Sequence, residues 1–178
     1  WEARFVVRAL EESGVSVTLR QPLGGGRWVT GSPVQGMLPL PALEELDVLL
    51  LLPGGDVPAA LAGGLAGWLT RGGGVVAVAA AGDTLALAGL SLPAVPGREE
   101  VATASALEWT LPPELVSLPP LSVDVPVLPL TGLDPAEWTP GVMAPGRDGP
   151  LLALRGVGSG RLAVLGLPAT WLWRMEGG

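Results

Sequence analysis

Any chemistry in this chain has to come from carboxylates, hydroxyls, arginines and tryptophans, because its 178 residues include neither cysteine nor histidine. Thiol nucleophiles, disulfides, Cys/His zinc sites and imidazole acid–base catalysis are thereby excluded. A carboxylate-only magnesium or calcium site needs clustered acidic residues, and no Asp/Glu run supplies one, so neither metal nor cofactor is expected. Glu99, Glu100 and Glu108 would offer paired carboxylates for glycoside hydrolysis, which requires a defined separation across a sugar. Sequence cannot set that separation, and exposed surface glutamates are the weightier reading. Glu11-Glu12 and Glu44-Glu45 read as solvated faces. The glycine runs 24–26 and 72–74 invite a phosphate-loop reading, but neither has the Walker lysine or the spaced dinucleotide fingerprint.

Composition narrows the partners. All 10 basic residues are arginines, scattered singly through a chain of net charge -7. A nucleic-acid surface needs a clustered positive patch to neutralise phosphates, so no nucleic acid is expected. Hydrophobic residues make up 48% and charged residues 15%, enough for a substantial core and against a disordered tail. Lysine, asparagine, isoleucine and tyrosine are also missing, which points to GC-rich coding. The chain starts at Trp1 without a basic n-region or apolar h-region, so no signal peptide is visible. The uncharged stretch Val57 to Thr70 falls short of the roughly 20 apolar residues a spanning helix needs, so the segment itself is not expected to enter a membrane.

The elements that would position a site follow from periodicity. Trp1 to Glu12 predicts a helix with Trp1, Phe5 and Ala9 on one stripe, widened by Val6 and Leu10, and stopped at Ser13-Gly14. Val15 to Arg20 alternates like a half-exposed strand, and residues 21–41 read as a glycine- and proline-rich loop. Leu46 to Leu52 is apolar without alternation, the pattern of a strand buried between helices. Asp56 caps a helix to about Thr70, with Leu61, Leu65, Trp68 and Leu69 toward the core. Val75 to Ala80 reads as a second buried strand, and Gly82-Asp83-Thr84 as the turn into a short helix ending near Leu90. Residues 91–150 are proline-rich and irregular, with short strands at 101–110 and 123–130. Leu151 to Arg155 and Leu162 to Gly166 form an antiparallel hairpin around the turn 156–160.

Three segments carry a resemblance: Trp1-Glu2-Ala3-Arg4-Phe5-Val6, the strand–helix unit ending in Arg71-Gly72-Gly73-Gly74, and Gly158-Ser159-Gly160-Arg161 with Thr170-Trp171-Leu172-Trp173-Arg174. Together they resemble the class I glutamine-amidotransferase-like domains of uncharacterised bacterial membrane proteins, over most of the chain apart from residues 91–150. The resemblance implies an α/β fold, a doubly wound and mostly parallel flavodoxin-like sheet, here with the C-terminal antiparallel hairpin. It implies one domain over 1–178, a fragment lacking the family's first strand and its C-terminal end. Catalytic members place a cysteine at the turn that is Ala81-Gly82-Asp83 here. They place histidine and glutamate after the strand matching Leu162–Gly166, where this chain has Leu167-Pro168-Ala169-Thr170. Thioester chemistry needs a thiolate and a proton carrier, so the alignment leaves no amidotransferase activity and no catalytic residues.

In open α/β sheets, ligands bind at the carboxyl ends of the strands. That rule selects Gly54, Gly55, Asp83, Thr84, Thr170 and Trp171, with Asp83 and Thr170 as polar contacts and Trp171 as a stacking wall for a small polar ligand. Turn formation and helix capping compete with that reading. Trp171 and Trp173 with Arg174 would form an aromatic–cation face, against plain packing at a sheet end. The expectation is a non-catalytic module of a larger, membrane-associated bacterial protein, with other domains of that protein as partners. The alternative is a sugar-binding or carbohydrate-processing domain resembling trehalose-utilisation-like proteins. A third is a hydrolase built on Asp83 or Thr84.

Overall fold

The computed structural model describes residues 2–24, 27–32, 36–37, 41–53, 57, 59–82, 87, 90, 92–110 and 123–168. The chain forms two compact units, 1–42 and 43–178.

The first unit opens with α1 (Glu2–Glu12). Its stop is the one the sequence dictates. Gly14 takes φ +81, its N–H donates to Glu11 O at 2.9 Å, and Val15 N–H donates to Leu10 O at 2.9 Å. Those two bonds close a Schellman motif, which satisfies the last carbonyls and needs a left-handed residue. The strand expected over 15–20 begins later. β1 (Leu19–Gly24) pairs antiparallel with β2 (Arg27–Ser32), which pairs with β3 (Gly36–Met37), so a meander occupies part of the segment read as loop.

In the second unit a six-stranded mixed sheet runs in the order β4 (Val48–Leu51), β5 (Gly74–Val78), β11 (Gly160–Leu165), β10 (Pro150–Val157), β9 (Thr139–Met143), β7 (Glu108–Trp109). β4, β5 and β11 are mutually parallel, and the rest of the sheet is antiparallel. β6 (Glu100–Thr103) and β8 (Asp124–Val127) make a separate antiparallel ribbon. The expected helix before β5 is split at Gly63-Gly64 into α2 (Ala59–Ala62) and α3 (Leu65–Thr70). Glycine destabilises a helix interior by roughly 1 kcal/mol against alanine, and two in succession suffice to break this one. The four apolar positions read toward the core are buried: Leu61, Leu65, Trp68 and Leu69.

The doubly wound, mostly parallel flavodoxin-like sheet is not what the chain builds. Among the described residues strand accounts for 38% and helix for 19%, and three of the sheet's five strand pairings are antiparallel. A doubly wound fold needs a helix in every crossover. Here the described helices of this unit longer than a single 3-10 turn all lie between β4 and β5. Proline explains the rest. Pro93, Pro96, Pro126, Pro129, Pro135, Pro140, Pro145 and Pro150 punctuate the long connection from β5 to β11, and each lacks an amide donor and pushes its predecessor toward extended geometry. The helix expected to end near Leu90 falls mostly outside the described residues. Leu87 and Leu90 face each other in a bridge, with Leu90 N–H donating to Leu87 O.

The strand read as buried between helices is also corrected. β4 has one described neighbour, β5, and Val48 is 55% exposed while Leu49 to Leu51 are half-buried. The interior lies deeper, where β5 and β11 alternate buried and half-buried residues. A core cluster of Leu107, Val125, Val127, Val142, Ala144, Leu151 and Leu167 draws mostly on the region the sequence left irregular.

Candidate functional site

All six positions expected to bind ligand, Gly54, Gly55, Asp83, Thr84, Thr170 and Trp171, lie outside the described residues, as do Trp173 and Arg174. The strand ends that would carry them are described up to Pro53, up to Gly82 and up to Pro168. What stands at the last two is informative.

After β5 the chain continues through Ala79, fully buried, whose N–H donates to Leu165 O at 2.9 Å and extends the ladder by one residue. Gly82 N–H then donates to Pro96 O at 2.9 Å. After β11, Gly166 N–H donates to Leu151 O, and Gly166 O accepts from Leu128 N–H at 2.8 Å. Leu130 N–H reaches Pro150 O at 2.8 Å, and Ala94 and Thr131 exchange two backbone bonds of 2.8 and 3.0 Å. Residues 94–97 and 128–131 thus form a strap, bonded to itself, that joins the turn after β5 to the end of β11 and the start of β10. Leu128 and Leu130 are fully buried in it, while Ala81, Gly82, Ala94, Gly97 and Thr131 are exposed.

At the opposite edge the two glycine motifs meet each other. Ser159 N–H donates to Thr70 O at 2.9 Å, and Arg161 N–H donates to Gly73 O at 3.2 Å. A Cβ on Gly160 would overlap Leu69 O, and one on Gly73 would overlap the Trp68 indole. The glycines let the end of α3 lie directly on the β10–β11 turn. A phosphate loop needs amides free to face an anion, and in the run 72–74 the Gly72, Gly73 and Gly74 amides already donate to Leu69 O, Trp68 O and Asp47 O.

Open hollows lie elsewhere among the described residues, two of them lined by charged side chains. One, of about 390 Å³, lies at the amino ends of β4 and β5, where Arg71 Nη2 stands 3.4 Å from Glu44 Oε1 across an exposed rim. The other, of about 690 Å³, is lined by Arg98, Glu99, Glu100 and Arg147. Arg147 Nε is 2.9 Å from Glu100 Oε2, and its Nη2 donates to Val101 O at 2.8 Å. Glu100 is therefore committed to an ion pair, while Glu99 and Glu108 are exposed on separate segments. No facing carboxylate pair arises from the three. Among the described residues no group of three or more acidic side chains converges as a metal site, and no polar or charged side chain is buried.

Two arrangements escaped the sequence reading. Thr103 Oγ1 donates to Asp124 Oδ1 at 2.9 Å, a hydroxyl–carboxylate pair set directly across β6 and β8. Both residues are exposed, so water competes at the hydroxyl and the pair acts as a cross-strand contact. Arg155 lies over the Trp138 ring, 5.8 Å from its centroid, with Nη2 3.0 Å from Glu137 Oε2. Its side chain is only 17% exposed, and it ties the 131–138 loop to β10. Neither has a local signal, because the partners are 17 to 21 residues apart and meet only through strand pairing.

No family model matches the chain, and no curated protein matches it. Among solved structures it is similar to an exo-beta-1,4-mannosidase, Op5Man5, from Opitutaceae bacterium strain TAV5, at 17% sequence identity and a TM-score of 0.44. That alignment covers 78% of this chain and 24% of the mannosidase, so the chain spans about a quarter of that protein's length. At this level the likeness assigns no chemistry to the chain.

Proposed function

We propose that the chain is a non-catalytic binding or structural module of a larger, membrane-associated bacterial protein, the role of the amidotransferase-like domains that its three sequence segments resemble. The observation that carries this reading is the strap of extended backbone, with Leu128 and Leu130 fully buried, at the ends of the parallel strands β5 and β11, the place where open α/β sheets bind their ligands. The absence of cysteine and histidine throughout the 178 residues supports the same reading, since neither the thiolate nor the imidazole of amidotransfer is available. No helix among the described residues is long and apolar enough to cross a membrane. In this reading the anchor belongs to other domains of the parent protein, which are the partners of this one.

The test is direct. Purified chain incubated with glutamine is expected to release no ammonia above a protein-free blank. Titration calorimetry against a panel of mono- and disaccharides, trehalose included, is expected to show no saturable heat at millimolar sugar. Turnover of glutamine would overturn the proposal, and saturable sugar binding would replace it with the carbohydrate-binding reading.

A further inference from the structure

We infer that the Leu128-Pro129-Leu130 segment of the strap is a fixed internal ligand of the sheet, which leaves the strand ends only when the second unit unfolds. This goes beyond the proposed function, since it holds or fails whatever the module binds.

A gate that opens in the native state rests on few buried contacts and on exposed hydrogen bonds. The strap's Leu128-Pro129-Leu130 segment has the opposite character, whereas Ala94, Thr131 and Gly82 are exposed. Five backbone bonds hold the strap: Ala94 to Thr131 twice, Gly82 to Pro96, Leu128 to Gly166 and Leu130 to Pro150. None is a side-chain latch that could exchange partners. Leu128, Pro129 and Leu130 are all buried, and Leu128 continues directly from β8, whose Val125 and Val127 belong to the core cluster. The fit is also close. A Cβ on Gly166 would overlap Leu128 O, and a Cβ on Gly149 would overlap Leu130 O. Both glycines are therefore required by the strap itself. Lifting it would strip the Gly166 and Pro150 carbonyls of their partners and pull two leucines from the interior. Such a change disrupts the core rather than a lid. In this chain the place of a ligand at the strand ends is taken by its own Leu128-Pro129-Leu130.

Native-state hydrogen exchange on the whole chain tests this. The amides of Leu128 and Leu130 are expected to be protected to within about tenfold of Ala163 and Val164 on β11, because they open in the same cooperative event. Faster exchange by more than that factor would mean that the segment opens while the sheet stays folded, and would overturn the inference. Gly166→Ala supplies a second arm. It is expected to lower the protection of the Leu128, Leu130 and β11 amides together and by the same factor. Loss confined to the Leu128 and Leu130 amides would equally sink it.

Discussion

The parallel half of the sheet and its antiparallel half are held by different means. Where α3 meets the β10–β11 turn, beside the parallel strands, the decisive contacts are backbone against backbone. α3 ends on the β10–β11 turn because Gly73, Gly158 and Gly160 leave no side chain in the way. Around β9, β10 and the β6–β8 ribbon the contacts are side chain against side chain, with Val125, Val127, Val142 and Leu151 filling one cluster. The α3 seam should be harmed by adding atoms at Gly160, the cluster by removing them.

The largest expected effect tests the second clause. Leu151 is fully buried in the cluster, so Leu151→Ala should cost about 4 kcal/mol from lost transfer energy and the cavity left behind. Urea denaturation reads this as a lower midpoint at unchanged slope. Gly160→Ala tests the first clause. One added methyl meets the carbonyls of Leu69 and Gly73, which cannot rotate aside, and about 3 kcal/mol of destabilisation is expected in the same measurement. Should Gly160→Ala prove neutral while Leu151→Ala is severe, the backbone account of the α3 seam fails.

Smaller effects sharpen the contrast. Arg155→Met keeps the stem but removes the charge that meets Glu137 and the Trp138 face, and about 1 kcal/mol is expected, since Glu137 is 44% exposed and screened by water. Gly156→Ala is the control for the seam. Nothing lies within 4 Å of a Cβ there, so a shift within about 0.5 kcal/mol is expected. A large loss at Gly156 would show that glycine matters to this hairpin through something other than close approach.

How much of this could be read from residues alone differs between the same two halves. Leu61, Leu65, Trp68 and Leu69 announced their burial because a helical stripe is a local pattern, and Ser13-Gly14 announced the end of α1 because a Schellman stop is local too. The run Leu46 to Leu52 misled for the same reason. A lack of alternation says that both faces are apolar, not how many strands lie beside it, and β4 has one described neighbour. The region from residue 91 to 150 was opaque because its order is nonlocal. Val101 pairs with Pro126, Trp109 with Val142, and Ala94 with Thr131, each across more than twenty residues. The doubly wound expectation failed on that region, where prolines forbid the helices such a fold requires. Of the candidate site, the choice of strand ends as the place to look was legible. The strap that fills the described ones was not, because nothing in Leu128-Pro129-Leu130 indicates which backbone it will meet.

The neighbour relation between β5 and β11 has a kinetic consequence. These strands pair in parallel register although roughly 80 residues separate them, so a long loop must close before their first hydrogen bond is rewarded. The β10–β11 hairpin, joined by two residues, can form early and wait. Until α3 and β5 arrive, β11 presents Leu162, Val164 and an unpaired edge to any chain nearby, which makes dilution during refolding the condition that most decides yield.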